Sequence, residues 1–521
     1  MTTIGILLKK QLKSHHFLLV IFVILYLLFA LFTYKQYGIT SDEQLDYQNG
    51  KLLLEYFSDE VSPSKIINDL IKMDEKSQLI SAPLFSPYGR LYLVILNLLN
   101  SKGYYEWFHL LNLLFALPLF AAIYSAIYSQ VKNQFFSILG PLFLVLTPSF
   151  FGHIPANAKD IPFAIFYYLS TLAIFFFIKK EQSSLSILAL GILFGITQSL
   201  RIVGIGIYIV YFLHCFLTLR VKPNIKFLTD SLLILVTSLF TMVVQWPFLG
   251  MNFFQNFRSI LMNAGYFYLW DKKILFMGEF LSRSDRPLHY LPMWLLVTTP
   301  IFLIVLFFVP FLKKLFSNRF LLYLYMTLLI NVIIYIIINP IVYNGIRHFL
   351  YFLPIVVTIA AISFYEIYKL LCCKNVKLLF FLTFSLGIVP VILSVLSLFP
   401  YHYVYFNELV GGTSQAYKKF DLDYWGASYT EAGIWVRENL NLLKSANAYK
   451  LIRVYACNNC FAVDYISHKK FLTTIYRETS DYIICDITSD MYRRYSGQII
   501  HTLSKNNTPF ILIRKNDFKS L

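Results

Sequence analysis

Apolar residues along this chain come in long unbroken blocks. No charged side chain falls between Phe17 and Tyr34, and at 1.5 Å rise per residue that stretch covers roughly 27 Å, about one hydrocarbon thickness. Comparable runs follow at about 107–129, 135–150, 161–178, 184–200, 202–219, 228–249, 289–312, 320–339, 347–368 and 378–399. The pattern predicts about eleven membrane-spanning helices. The first run is too long and too late for a cleaved signal, and Leu28-Phe-Ala-Leu-Phe-Thr offers no small-x-small cleavage site, so it reads as an uncleaved helix.

Three polar regions interrupt the blocks. In the first, Lys35 to about Gly103, Ser62-Pro63 makes a good N-cap and first-turn pair. Ile66, Ile67, Leu70 and Ile71 follow on one face, with Asn68, Asp69 and Lys72 on another. This predicts an amphipathic helix lying on the membrane. Leu91–Leu99 is apolar but too short to cross, so it lies at the interface or re-enters. The second region runs from Gly250 to Leu288. The third, Tyr401 to Leu521, reads as a compact α/β unit. Its Ser428-x-x-Glu431 has capping-box spacing, placing a helix start near Tyr429, and Leu451–Ala456, Tyr482–Ile487 and Phe510–Ile513 look like strands. The chain thus divides into a membrane module, residues 1–399, whose first outer loop is 35–103, and a C-terminal extracytoplasmic α/β domain, residues 400–521.

Composition supports the membrane reading. Hydrophobic types reach 57% and charged types 14%, where a soluble domain carries about 25% charged residues. A soluble globular protein is excluded, and 21 Gly and 19 Pro are too few for a fibrous chain. Against 28 acids stand 45 Lys and Arg, a net +17. In a soluble protein this would suggest nucleic acid, but here it is largely a topology signal. With the N-terminus inside (Lys9, Lys10, Lys13), the inward loops collect Lys132, Lys179, Lys180, Arg220, Lys222, Lys226, Lys313, Lys314, Arg319, Lys369, Lys374 and Lys377. Asp42, Glu43, Asp46, Asp160, Asp271, Glu279 and Asp285 fall in the alternate loops. An odd number of crossings puts the C-terminal segment outside with them.

Cys457-x-x-Cys460 reads as a tight structural disulfide, a pair of free thiols or a redox pair. Without a second CxxC or His ligands it is no zinc site. Cys485, in an apolar strand, and Cys215, Cys372 and Cys373, in or beside membrane helices, read as inert.

Charges held against the hydrocarbon carry the candidate chemistry. Asp42-Glu43 stands soon after the first helix. Ser41 and Gln44 have capping-box spacing, and acids in a first helical turn suit the helix dipole, which explains both residues without further function. Asp46, four residues from Asp42, is a like-charge neighbour that calls for a metal, a basic side chain or a cationic substrate. Asp160 sits in Phe151-Gly-His-Ile-Pro-Ala-Asn-Ala-Lys-Asp-Ile-Pro, where it either faces a site or pairs with Lys159 in the headgroup layer. Arg201 and Arg347 face outward against the positive-inside trend. Each either snorkels to ordinary headgroups or binds an anionic group such as a lipid phosphate.

A first helix, a long outer loop with an early Asp-Glu, an acid just before the fourth helix and a C-terminal outer domain together resemble the GT-C superfamily of integral-membrane glycosyltransferases. The nearest branch is the protein O-mannosyltransferase-like one (glycosyltransferase family 39-like) that includes the aminoarabinose transferase of lipid A. Leu146-Thr-Pro-Ser-Phe through Asp160-Ile-Pro-Phe-Ala and Ser41-Asp42-Glu43 carry the likeness, over roughly residues 17 to 350. Tyr405-Phe-Asn-Glu-Leu-Val-Gly-Gly and Asp423-Tyr-Trp-Gly-Ala-Ser look like a segment of some bacterial members.

The resemblance implies a GT-C fold and transfer of a sugar, with inversion, from a polyprenyl or dolichyl phosphate donor to an extracytoplasmic protein, lipid or glycan acceptor. Asp42 would be the general base, and Glu43 would orient it or bind sugar hydroxyls. Asp160 would hold the acceptor or join Asp42 around a divalent metal. Lys159, Arg201 and Arg347 would take the lipid phosphate, with His289 and Tyr290 as donor-groove candidates. The absence of a retention tail and the single sequon at Asn506 favour a bacterial inner membrane over the endoplasmic reticulum. Two other classes answer to the same features: a lipid or solute transporter, though neither a repeat nor mid-membrane acids are evident, and a polymerase or ligase using polyprenyl-diphosphate glycans.

Overall fold

The computed structural model describes residues 16–57, 91–100, 103–178, 183–246, 249–250, 252–265, 273–282, 285–312, 318–340, 342–343, 345–371, 374–441, 443, 451–468, 470–487 and 495–517. The helix expected after Ser62-Pro63, and with it Cys372 and Cys373, lies outside these residues.

Each of the eleven apolar runs is helical along most of its length. Among the described residues six helices are long and apolar enough to cross a membrane: Tyr105–Val131, Asp160–Phe177, Ile225–Gln245, Arg319–Ile338, Arg347–Leu370 and Lys374–Leu398. Tyr290–Thr298 and Ile301–Leu312 form a seventh if a pair bent by 116° counts as one span. The other four runs give shorter apolar helices, Phe17–Thr33, Gln134–Val145, Ser184–Leu200 and Ile202–Thr218. The chain is a mostly helical integral membrane protein. Polar residues set the helix starts. The side chains of Asn133, Ser183, Asn224 and Asn318 each accept a backbone N–H from the first turn they cap, satisfying donors that hydrocarbon would leave orphaned.

Of these six spans the most hydrophobic is the least enclosed. Lys374–Leu398 has 6% of its apolar window buried, against 83% for Arg347–Leu370; the first faces lipid and the second forms the centre of the body. Leu91–Leu99 packs on Glu43–Phe57, buries Tyr92, Leu93, Val94, Leu96 and Asn97 and exposes Ile95, Leu98 and Leu99. The approach requires glycine: a Cβ on Gly50 would lie 2.1 Å from Asn97 Nδ2 and 2.5 Å from the Leu93 carbonyl oxygen.

Two sheets stand at the end of the body that carries Asp42. A hairpin pairs β1 (Ile274–Phe276) with β2 (Glu279–Leu281). A five-stranded sheet, ordered β4-β3-β5-β7-β6, joins β3 (Arg453–Ala456), β4 (Leu472–Thr474), β5 (Tyr482–Asp486), β6 (Ile499–Lys505) and β7 (Thr508–Lys515). β3 runs parallel to β4 and β5, and β7 runs antiparallel to β5 and β6. β4 and β6 were not evident from sequence: β4 is three residues long, and β6 mixes polar and apolar positions irregularly around two register shifts. The helix Ser428–Glu438 starts where expected but without the capping box. Ser428 donates instead to Asp423, and Glu431 accepts from Tyr401 and pairs with Lys505.

The cysteine expectations change as well. Cys457 is bonded to Cys485 across the sheet, so Cys485 is not inert, and Cys460 remains a thiol at the start of Cys460–Ser467. Helix and strand geometry decide this: Cys485 on β5 lies beside the end of β3, to which the sheet pairs it.

Candidate active site

The Ile39–Asp42 turn is fixed from two directions. From the C-terminal segment, the Trp425 carbonyl accepts the Ser41 N–H at 2.9 Å, Thr430 Oγ1 accepts the Ile39 N–H at 2.8 Å, and Asn459 Nδ2 donates to the Ile39 carbonyl at 2.9 Å. From within the body, Glu43 Oε2 accepts the Thr40 N–H at 2.6 Å while Glu43 Oε1 lies 2.7 Å from His109 Nε2. His109 Nδ1 is 3.3 Å from the Tyr34 carbonyl. The expected Ser41–Gln44 capping box is therefore replaced by Glu43 reaching back to Thr40, one residue earlier, because the Ser41 N–H is already engaged. Both Glu43 oxygens are turned inward to hold the loop, and its side chain is 5% exposed.

Asp42 itself, on the other side of this turn, enters a charged cluster. Arg347 Nη1 donates to Asp42 Oδ2 at 2.8 Å and Arg347 Nε lies 3.4 Å from Asp160 Oδ2. One guanidinium thus bridges two carboxylates. Arg201 pairs with Asp160 Oδ1. Lys159 Nζ lies 2.9 Å from Asp46 and 3.7 Å from Asp42. The Lys159–Asp160 ion pair weighed from sequence is not formed. Asn157 explains why: its Oδ1 accepts the Asp160 N–H at 2.8 Å and the Lys159 N–H at 3.2 Å, and its Nδ2 donates to Asp160 Oδ2 at 3.0 Å. The turn so locked sends the two side chains apart. Lys159 is also the cation that relieves Asp42 and Asp46. Asp160 opens Asp160–Phe177 and Arg201 closes Ser184–Leu200, so each charge also meets the favourable end of a helix dipole.

Burial alone would raise the Asp42 carboxyl, but Lys159 and Arg347 outweigh it and hold the group down at about 2. Burial would lower Lys159, and Asp42 and Asp46 keep it well above its ordinary value. Burial takes His153 down to about 4, so it is neutral at pH 7.

Several residues of the site had no role assigned from sequence. The Arg347 guanidinium carbon lies over the rings of Tyr343 and Trp425, 5.3 Å from each centroid. Tyr424 Oη is 2.9 Å from Nε2 of the buried His153. Asp423 accepts the Ala427 N–H at 3.1 Å, the Ser428 N–H at 3.2 Å and the Tyr403 hydroxyl. Asp423-Tyr-Trp-Gly-Ala-Ser is thus the segment that closes over the cluster. A motif near a chain's C-terminal domain gave no sign of reaching a loop some 380 positions earlier. Tyr290, by contrast, is fully buried against Phe276 and Trp294, and the exposed His289 precedes its helix. This is aromatic packing beside the hairpin, and neither residue touches the charged cluster.

The donor set does not suit a divalent metal. Asp42 and Asp160 are already matched by Arg347, Arg201 and Lys159, and a dication bridging them would meet guanidinium and ammonium groups at contact distance. Among the described residues no three His, Cys, Asp or Glu side chains gather around one point.

No protein-family model and no curated protein matches the chain. Solved structures are similar to it in overall course. ArnT from Cupriavidus metallidurans bound to undecaprenyl phosphate aligns at 11% identity and TM-score 0.48, covering 98% of this chain and 100% of that one. The apo state of the same protein aligns at 10% and 0.46, covering 97% and 100%. Archaeal oligosaccharyltransferase AglB from Archaeoglobus fulgidus, in complex with an inhibitory peptide and a dolichol-phosphate, aligns at 11% and 0.38, covering 77% of this chain and 62% of that one.

Proposed function

We propose that this chain is a membrane glycosyltransferase that moves a sugar from a polyprenyl phosphate to an acceptor on the outer side of a bacterial inner membrane. The observation that carries the reading is the Arg347 guanidinium shared by Asp42 and Asp160 at the rim of a hydrophobic body. A phosphate leaves as an anion without protonation, so the reaction needs a base for the acceptor hydroxyl and fixed positive charge for the leaving group. In an inverting step the acceptor oxygen attacks C1 of the sugar, its proton passes to the Asp42 carboxylate, and the C1–O bond breaks with its electron pair going to the phosphate. Arg347, Arg201 and Lys159 receive that phosphate. Asp160 serves as the anchor that aims both arginines, and Glu43 holds the loop that carries the base.

The donor also makes Asp42 a better base. A carboxylate held near 2 is a weak proton acceptor. A lipid phosphate drawing Arg347 and Lys159 toward itself weakens the two cations that depress Asp42 and leaves burial, which raises it. Base strength would then appear when the donor is bound.

Purified protein given a panel of radiolabelled polyprenyl-phosphate sugars is expected to release free polyprenyl phosphate from at least one. Release from none, with label moved intact across a vesicle membrane, would make the chain a transporter. Consumption of diphosphate-linked glycans alone would make it a polymerase or ligase.

A further inference from the structure

We propose that Trp425 is a positioning residue of this site: its indole face fixes the Arg347 guanidinium while its own carbonyl fixes the loop that carries Asp42. The inference deepens the function proposed above and rests on the same cluster. Trp425 is 2% exposed, and the Arg347 guanidinium carbon lies over its ring and over that of Tyr343, 5.3 Å from each centroid. Two aromatic rings packed on one guanidinium restrict the directions its N–H groups can take, and those groups meet Asp42 at Nη1 and Asp160 at Nε. The backbone of the same residue accepts the Ser41 N–H, next to Asp42.

The surrounding loop keeps both contacts in register. Asn459 Nδ2 donates to Ile39 O at 2.9 Å and to Gly426 O at 3.0 Å, tying the two loops through one amide. The loops touch so closely at Gly38 that a Cβ there would lie 2.1 Å from the Ala427 carbonyl oxygen. Gly426 has φ +64°, a conformation that costs glycine little, and Asp423 accepts the N–H groups on its far side.

The charged groups around Asp42 are Lys159 and Asp160 at the start of Asp160–Phe177, Arg201 from the end of Ser184–Leu200, Arg347 at the start of Arg347–Leu370, and Glu43 and Asp46 from the helix that Asp42 precedes. Arg347 is the one in contact with Trp425. Removing the indole should free Arg347 from Asp42 and let that carboxyl protonate more readily, without disturbing Glu43 on the opposite side of the turn.

The test uses full-length protein and no donor, so its failure is distinct from failure of the proposed function. Wild type, Trp425→Leu, Trp425→Phe and Tyr343→Leu are treated with a water-soluble carbodiimide and glycinamide at pH 5. Labelling of Asp42 is then measured by mass spectrometry against the exposed Glu438. Each pKa unit changes the protonated fraction tenfold, so the Asp42 to Glu438 ratio is expected to rise about tenfold or more in Trp425→Leu. The rise in Tyr343→Leu should be smaller but of the same sign, the ratio in Trp425→Phe should stay close to wild type, and Glu43 should stay protected throughout. An unchanged Asp42 ratio in both leucine variants would overturn the proposal. So would labelling of Glu43 in step with Asp42, which would mean that the indole only holds the fold together.

Discussion

Lys159 shows at the scale of one residue how the site is balanced. It is the ammonium between Asp42 and Asp46, and without it the two carboxylates would lose the cation they share. The sign of the pH effect follows from the depressed Asp42 carboxyl. Its ordinary value is 3.8 and its folded value about 2, so the pairing contributes stability above pH about 4 that is lost as pH falls through about 2. Lys159→Gln removes one of the depressing charges and lifts the folded value. Its acid unfolding, followed by tryptophan fluorescence, is expected to begin at higher pH than that of wild type, and coincident curves would contradict this.

The acids and arginines of the cluster were legible in the sequence because charge beside hydrocarbon is costly and needs a reason. Their pairing was not. Arg347 and Asp42 are 305 positions apart, and Lys159 stands next to Asp160 yet pairs elsewhere because Asn157 locks the turn between them. Nor was His109 singled out, a polar side chain inside an apolar run.

Among the elements, the broken span shows how a polar residue can hold a bend. Pro300 lacks an N–H and disfavours a helical residue before it, so Tyr290–Thr298 and Ile301–Leu312 separate at Thr299-Pro300. The carbonyls freed at the break go to Asn407. Its Nδ2 donates to Leu296 O at 2.6 Å and to Thr299 O at 2.7 Å, and its own N–H donates to Val297 O at 2.8 Å. Gly411 and Gly412, at φ +82° and +72°, let the chain turn sharply behind it. Asn407→Ala leaves two carbonyls in a buried place without their donor and is expected to cost about 1–3 kcal/mol for each. The readout is a lower midpoint of thermal unfolding in detergent, and an unchanged midpoint would mean that other groups hold the bend. The eleven apolar runs were readable at this scale because hydrophobic length is a strong signal. The 116° bend and both capping exchanges were not, because each depends on a partner from a distant segment.

Across the whole molecule, the C-terminal region is joined to the membrane body at several places, among them Asn407 at the broken span, Asp421 and Lys419 at the β1–β2 hairpin, Tyr424 at His153, and Trp425 with Asn459 at the Asp42 loop. The sequence marked this region as a separate unit by its drop in hydrophobicity, and nothing in its composition showed that it completes the charged site. The bond between Cys457 and Cys485 braces the sheet behind Asn459. Removing a bond that closes a loop of this size costs about 2–4 kcal/mol. Cys485→Ser is therefore expected to lower the unfolding midpoint of the intact protein, whereas Cys460→Ser leaves it in place; equal effects would contradict the assignment.

The central claim is that Asp42 takes the acceptor proton in a cluster whose cations receive the departing phosphate. Single-turnover transfer from a radiolabelled polyprenyl-phosphate sugar, compared between wild type and Asp42→Asn, tests it most directly. A positioned general base contributes roughly 10²- to 10⁴-fold, so the variant is expected to lose that much rate while keeping its fold and still binding undecaprenyl phosphate. Turnover by Asp42→Asn within a few-fold of wild type would contradict the account.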